Sequence, residues 1–264
     1  MIISFISVKG GVGKTTLALE TASSLANDFG KKVLVIDANF SAPNLALHFG
    51  VKHDRSIQEV LSGEVSAKNA IYEIHGFDFI PASFSYKEED ASNLKNVLAK
   101  IKSKYDFIIL DSSPNYRDMI PVISAADKLF VITTPDHVTL HTSMRAANLA
   151  KAKKTPVEGI IINKIKHPKY EMNLADVEEF LSVPVVARIM DNRGMVESMF
   201  YRRPMTIHDR SNPVSKEIRR FASALAGEPE KVNWFMRSFG HVFKKEKINR
   251  DVLRQKLYEQ QIVV

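Results

Sequence analysis

The sequence predicts an α/β fold: a mostly parallel sheet flanked by helices on both faces. Three observations carry this. Short apolar runs alternate with longer amphipathic stretches over about 220 residues, the rhythm of β-α units. Most of the apolar runs are continuous Ile, Val, Leu and Phe, as in strands buried on both faces. A glycine-rich loop joins the first apolar run to the first amphipathic stretch.

In chain order, the runs Ile2–Val8, Lys32–Asp37, Phe77–Ile80, Asp106–Asp111, Lys128–Thr133, Val157–Asn163 and Val183–Ala187 read as strands. Helices are predicted near residues 14–28, 56–62, 88–103, 116–126, 137–153, 173–182, 192–200 and 213–226. Ser56 followed by Glu59 has the spacing of a capping box. The rhythm stops at Gly227-Glu228-Pro229. Residues 1–227 are therefore expected to form one domain, with residues 228–264 a basic, amphipathic helical extension.

Of 264 residues, 45% are hydrophobic and 25% charged, enough for a sizeable core, which excludes a disordered, collagen-like or coiled-coil chain. The chain has no Cys, which excludes disulfides, thiolate metal sites, iron–sulfur clusters and a Cys nucleophile. No apolar run approaches the roughly 18 residues of a membrane span. The start Met1-Ile2-Ile3-Ser4-Phe5-Ile6-Ser7-Val8 is too short for a secretory signal, so a cytoplasmic location is expected. The net charge of +7 is uneven: residues 1–150 carry 15 basic and 16 acidic side chains, residues 151–228 carry 14 and 10, and residues 229–264 carry 8 and 4. Such asymmetry suggests an anionic polymer or surface as partner, although a solvated basic face would look the same.

The loop Lys9-Gly10-Gly11-Val12-Gly13-Lys14-Thr15-Thr16 follows the first strand and opens the first helix. Glycines let the backbone fold tightly and turn its N–H groups inward, and the helix N-terminus completes an anion cradle. Lys14 can reach the β- and γ-phosphates, and the Thr15 hydroxyl can ligate Mg²⁺. Gly10 and Gly13 are one residue too close for the standard Walker A spacing, so the loop is a variant with Lys9 in first position.

This octapeptide resembles the deviant Walker A box of the MinD/ParA ATPases, of the SIMIBI class of P-loop proteins, and the resemblance covers about residues 1–226. It implies ATP and Mg²⁺ as cofactors and a sandwich homodimer in the ATP state. In that dimer Lys9 would cross to the partner's phosphates while Lys14 serves its own, a second cation acting in the manner of an arginine finger. It also implies a role in chromosome partitioning or cell division, with an ATPase-activating partner. The nitrogenase iron protein and metal-cluster carriers share the loop but need Cys.

Phe107-Ile108-Ile109-Leu110-Asp111 is a buried strand ending in a carboxylate, which suits a Walker B Asp holding Mg²⁺ through water. Ser112-Ser113-Pro114-Asn115 follows, with Asn115 where the family commonly has Gly. After the second strand the family reads Asp-x-Asp, the first Asp near Mg²⁺ and the second orienting the attacking water. Here Asp37 matches the first, and Asn39 replaces the second. An amide holds water but is no useful base. Phosphoryl transfer asks more for positioning than for proton removal, so slow or partner-stimulated hydrolysis is expected. A hydrolysis-deficient scaffold that holds ATP and dimerises is the alternative. The resemblance also assigns Asn44 to the partner's nucleotide and Asn163 to the purine base.

The His residues show no metal spacing; His137 and His141 lie four apart without a third ligand. Lys151, Lys153, Lys154, Lys164, Lys166 and Lys169 form one basic cluster, and Arg202, Arg203, Arg210, Lys216, Arg219 and Arg220 another. In ParA-like proteins such residues bind DNA without sequence specificity, by phosphate neutralisation. In residues 229–264, Val232, Phe235, Met236, Phe239, Val242 and Phe243 fall at helical spacing among basic residues, an arrangement suited to a membrane interface, an adaptor, or packing on the core or the partner subunit. A phosphotransferase with a tyrosine-rich tail is disfavoured, because this tail holds only Tyr258.

Overall fold

The computed structural model describes residues 1–84, 91–167 and 169–228. The predicted extension therefore lies outside the described residues from Pro229 onward, as does part of the helix expected over 88–103. Eight strands form one sheet: β1 (Ile2–Ile6), β2 (Val33–Ala38), β3 (Tyr72–Ile74), β4 (Phe77–Ile80), β5 (Phe107–Ser112), β6 (Lys128–Thr133), β7 (Val157–Ile165) and β8 (Val185–Met190). Their order is β3-β4-β2-β5-β1-β6-β7-β8. Every neighbouring pair is parallel except β3 with β4.

The continuous apolar runs have a direct cause. On β1, β2 and β5, alternate residues enter different cores. Ile3, Phe5, Val33, Val35, Phe107 and Ile109 face α1 (Lys14–Phe29) and α10 (Pro213–Ala226). Ile2, Leu34, Ile36, Ile108 and Leu110 face α3 (Ile57–Ser62), α4 (Leu94–Ile101) and α5 (Tyr116–Ala125). Phe221 of α10 seals the first core, meeting Phe130 edge-on with ring centroids 5.0 Å apart. The capping box at Ser56 and Glu59 is present, and α10 ends where Gly227 adopts the left-handed conformation.

Several elements depart from expectation. β1 stops at Ile6 rather than Val8, as the chain turns into the glycine loop. β3 was not foreseen: it has three residues, none of them buried. Two helices were also missed, α2 (Leu45–Phe49) and α9 (Met205–His208), each too short to show a helical period. In the described part of the helix expected over 88–103, a 3₁₀ turn at Ala91–Asn93 precedes α4, and a second at Lys102–Lys104 follows it. β7 continues past Asn163 to Ile165, with Lys164 in left-handed conformation and the register with β8 shifted there. β8 begins after Pro184, whose carbonyl already accepts from Ile160. The remaining helices, α6 (His137–Ala152), α7 (Leu174–Leu181) and α8 (Arg193–Phe200), lie close to their predicted positions. No helix among the described residues is long and apolar enough to cross a membrane.

Candidate nucleotide site

The parallel strands β1, β2, β5, β6 and β7 all end at one edge of the sheet, which gathers the predicted site residues there. Gly11 and Gly13 both have positive φ, +74° and +101°. Gly13 caps α1, which has no side-chain cap and no acidic residue in its first turn. Its first amide groups are thus left for an anion. A Cβ on Gly10 would meet nothing within 4 Å, so the loop is open on that side.

Lys14 is buried, and its Nζ donates to the Lys9 carbonyl at 3.3 Å. Burial pulls its pKa down to about 8, against the opposing charge of Asp111. Lys9, by contrast, is half-exposed. Its Nζ donates to Thr139 Oγ1 at 2.5 Å and lies 3.9 Å from Asp136 Oδ1. Asp136 caps α6 by accepting from the Thr139 amide at 2.8 Å.

Asp37 and Asp111 stand in register on adjacent strands, both fully buried. Asp37 Oδ1 accepts from the Asn39 amide at 3.1 Å, and Oδ2 accepts from the Asn44 and Leu45 amides at 3.0 Å each. Thr15 Oγ1 donates to Asp111 Oδ2 at 2.7 Å, while Asp111 Oδ1 is buried with no hydrogen-bond partner. Burial raises Asp37 to about 6 despite those three amides. Burial, and then the charge of Asp37, raises Asp111 to about 8, opposed by Thr15 and Lys14. Two crowded carboxylates, one with an unpartnered oxygen, beside a hydroxyl are hard donors suited to Mg²⁺. Asp37 also accepts from three backbone amides, which shape the loop that follows it.

Asn39 is also buried. Its Nδ2 donates to the Ala42 carbonyl at 2.7 Å, which fixes the amide and leaves Oδ1 a buried acceptor without a partner. Asn44 Oδ1 is likewise buried and unpartnered. Asn163 is turned toward the glycine loop, its Nδ2 donating to the Val12 carbonyl at 2.8 Å. Lys164 Nζ donates to the Gly11 carbonyl at 2.8 Å. The end of β7 therefore holds two carbonyls of the loop, and Asn163 keeps its Oδ1 and a second N–H for other contacts.

Three site residues escaped the sequence reading. Thr139 and Asp136, which hold Lys9, were signalled only by an ordinary helix N-cap pattern. Asp118, which accepts from Ser41 in the loop after β2, carried no signal at all. A cleft of about 580 Å³ lies between the turn after β6 and the end of β7, lined by Asp136, Lys164, Lys166, Tyr170 and Glu171 among others, and not by the glycine loop. His141 packs edge-on against Phe180, and no group of three metal-binding side chains occurs among the described residues. The second basic cluster is partly spent: Arg210 and Arg219 both pair with Asp28, and Arg220 with Glu217.

Strand, glycine loop, helix and an acidic strand end in contact with the loop's Thr define a P-loop nucleotide-binding protein. Residues 1–158 match the family model described as AAA domain. An uncharacterized ATP-binding protein of Methanocaldococcus jannaschii is 31% identical over 235 residues, 87% of this chain and 89% of that protein. The cell division ATPase MinD of Pyrococcus furiosus has the same fold, with a TM-score of 0.78 at 25% identity over 84% of this chain and 96% of that one. A MinC:MinD cell division complex of Aquifex aeolicus matches with a TM-score of 0.77 at 26% identity, covering 88% and 98%. The chain belongs to this family of P-loop ATPases of the MinD/ParA type.

Proposed function

We propose that the protein is a nucleotide switch: it binds Mg–ATP, dimerises face to face, and resets by slow hydrolysis. Its cofactors are ATP and Mg²⁺. Gly10, Gly11, Val12 and Gly13, with Lys14, Thr15 and Thr16, cradle the phosphates; Thr15 and Asp111 hold the metal, with Asp37 beside them. Mg²⁺ supplies charge neutralisation on the phosphates. Asn39 orients the attacking water through Oδ1, and Asn44 and Asn163 contact nucleotide. Lys9 acts in trans on the partner's phosphates, stabilising charge on the transferring group.

The observation that carries this reading is the contrast between the two lysines of one loop. Lys14 is buried over its own cradle. Lys9 is half-exposed and held aside by Thr139. Saturable Mg–ATP binding by equilibrium dialysis, lost in Lys14→Ala, tests the cradle; unchanged binding in that variant refutes it. A second reading, a scaffold that binds ATP but barely hydrolyses it, is favoured by one observation: residue 39 is an amide, so its side chain offers water hydrogen bonds but no charge.

Downstream, the switch places a cargo on DNA or membrane. The basic residues of the C-terminal half, among them Lys151, Lys153, Lys154 and Lys169, would neutralise DNA phosphates, with steep salt dependence. Residues 229–264 would supply a membrane or adaptor contact, and an activating partner accelerates hydrolysis.

A further inference from the structure

Asp118 lies in the first turn of α5, just beyond β5, the strand that carries Asp111. An acid there ordinarily serves its own helix, but Asn115 already caps α5, its Oδ1 accepting from the Arg117 amide at 2.9 Å. Asp118 instead reaches across to the loop after β2. Its Oδ2 accepts from both the backbone amide of Ser41, at 2.9 Å, and the Ser41 hydroxyl, at 2.6 Å. The residue is 5% exposed, so water competes little for either bond.

Ser41 sits immediately before Ala42, whose carbonyl fixes the Asn39 amide. Asp37 anchors the same loop from the other side through the amides of Asn39, Asn44 and Leu45. The loop bearing Asn39 thus has two carboxylate anchors, one on its own strand and one on α5. The second descends from the Asp111 strand through a short turn in which the Asn115 amide donates to Ser113 Oγ at 3.0 Å.

We infer that Asp118 is a positioning residue that ties the orientation of Asn39 to α5. The water-orienting loop and the segment that follows the metal-binding Asp111 then move as one body. This rests on the role proposed above for Asn39.

The test is single-turnover hydrolysis at saturating Mg–ATP, with nucleotide affinity measured separately, in wild type, Asp118→Ala and Asp118→Asn. Asp118→Ala is expected to slow hydrolysis roughly ten-fold or more, as for a misplaced catalytic group. Affinity should change by less than about three-fold, since the phosphate cradle is untouched. Asp118→Asn, which keeps an acceptor oxygen, should recover much of the rate. In an Asn39→Ala background Asp118→Ala should add nothing. A parallel loss of affinity, or the same fold-loss without Asn39, overturns the inference. If wild type does not turn over at all, it is the role of Asn39 that fails. Hydrogen exchange still decides the tie: Asp118→Ala should expose the Ser41 amide, and unchanged protection there contradicts it.

Discussion

Lys9 Nζ donates to Thr139 Oγ1 at 2.5 Å, so the lysine assigned to a partner's phosphates is held within its own chain by the first turn of α6. If Lys9 serves the partner as proposed, dimerisation would break this bond. Thr139→Val removes the acceptor while leaving Asp136 to cap the helix. A hydrogen bond of this kind is worth about 0.5–1.5 kcal/mol, so the ATP concentration needed for dimerisation should fall roughly two- to ten-fold. Light scattering across an ATP titration measures it; an unshifted midpoint would mean that the Thr139 bond does not restrain Lys9.

Gly13→Ala should destabilise the fold and abolish ATP binding. Gly13 sits at φ +101°, and a Cβ there would run into the Asn163 amide. Strained backbone of this type costs about 1–3 kcal/mol. Adding Asn163→Ala removes the clash but not the φ penalty, so the melting temperature should recover only in part. Wild-type melting in the single variant would speak against the described loop.

The buried acid pair makes stability and metal binding depend on pH. Asp37 and Asp111 are raised to about 6 and about 8, above unfolded values near 4. The metal-free fold then holds more protons than the unfolded chain, so stability from the pair is present at low pH and lost as pH rises through 6 and 8. Mg²⁺ affinity runs the other way, increasing over that window, with protons released on binding. Melting curves from pH 5 to 8 for wild type and Asp111→Asn check the sign. The variant should lose less stability on going to pH 8, and parallel curves would rule out the pair as the cause.

Asn39→Asp should raise single-turnover hydrolysis by about a hundred-fold or more, the lower end of the usual worth of one acid–base group. If wild type already turns over as fast as the variant, the amide is no handicap and the scaffold reading falls.

The sheet was legible because both faces of its strands are buried: Leu34 and Val35 serve different cores, which prints a continuous apolar run. Helices α2, α9 and strand β3 were not, since three to five residues cannot display a period. The site divided in the same way. Lys9 to Thr16 and Asp111 were readable, because glycine backbone needs and strand-end chemistry are local. The Asp118–Ser41 bond and the Lys9–Thr139 bond join residues far apart in sequence, and only the packing of α5 and α6 at the sheet edge creates them. Asn163 was singled out in the sequence as a base contact; its bond to the Val12 carbonyl spans distant parts of the chain and was not legible there.

The central claim, a cross-subunit lysine that couples ATP to dimerisation, is tested most directly by the mass in solution of wild type and Lys9→Ala with a non-hydrolysable ATP analogue and Mg²⁺. Wild type should shift from monomer to dimer, and Lys9→Ala should stay monomeric while still binding nucleotide. A Lys9→Ala dimer as stable as the wild type would contradict the account.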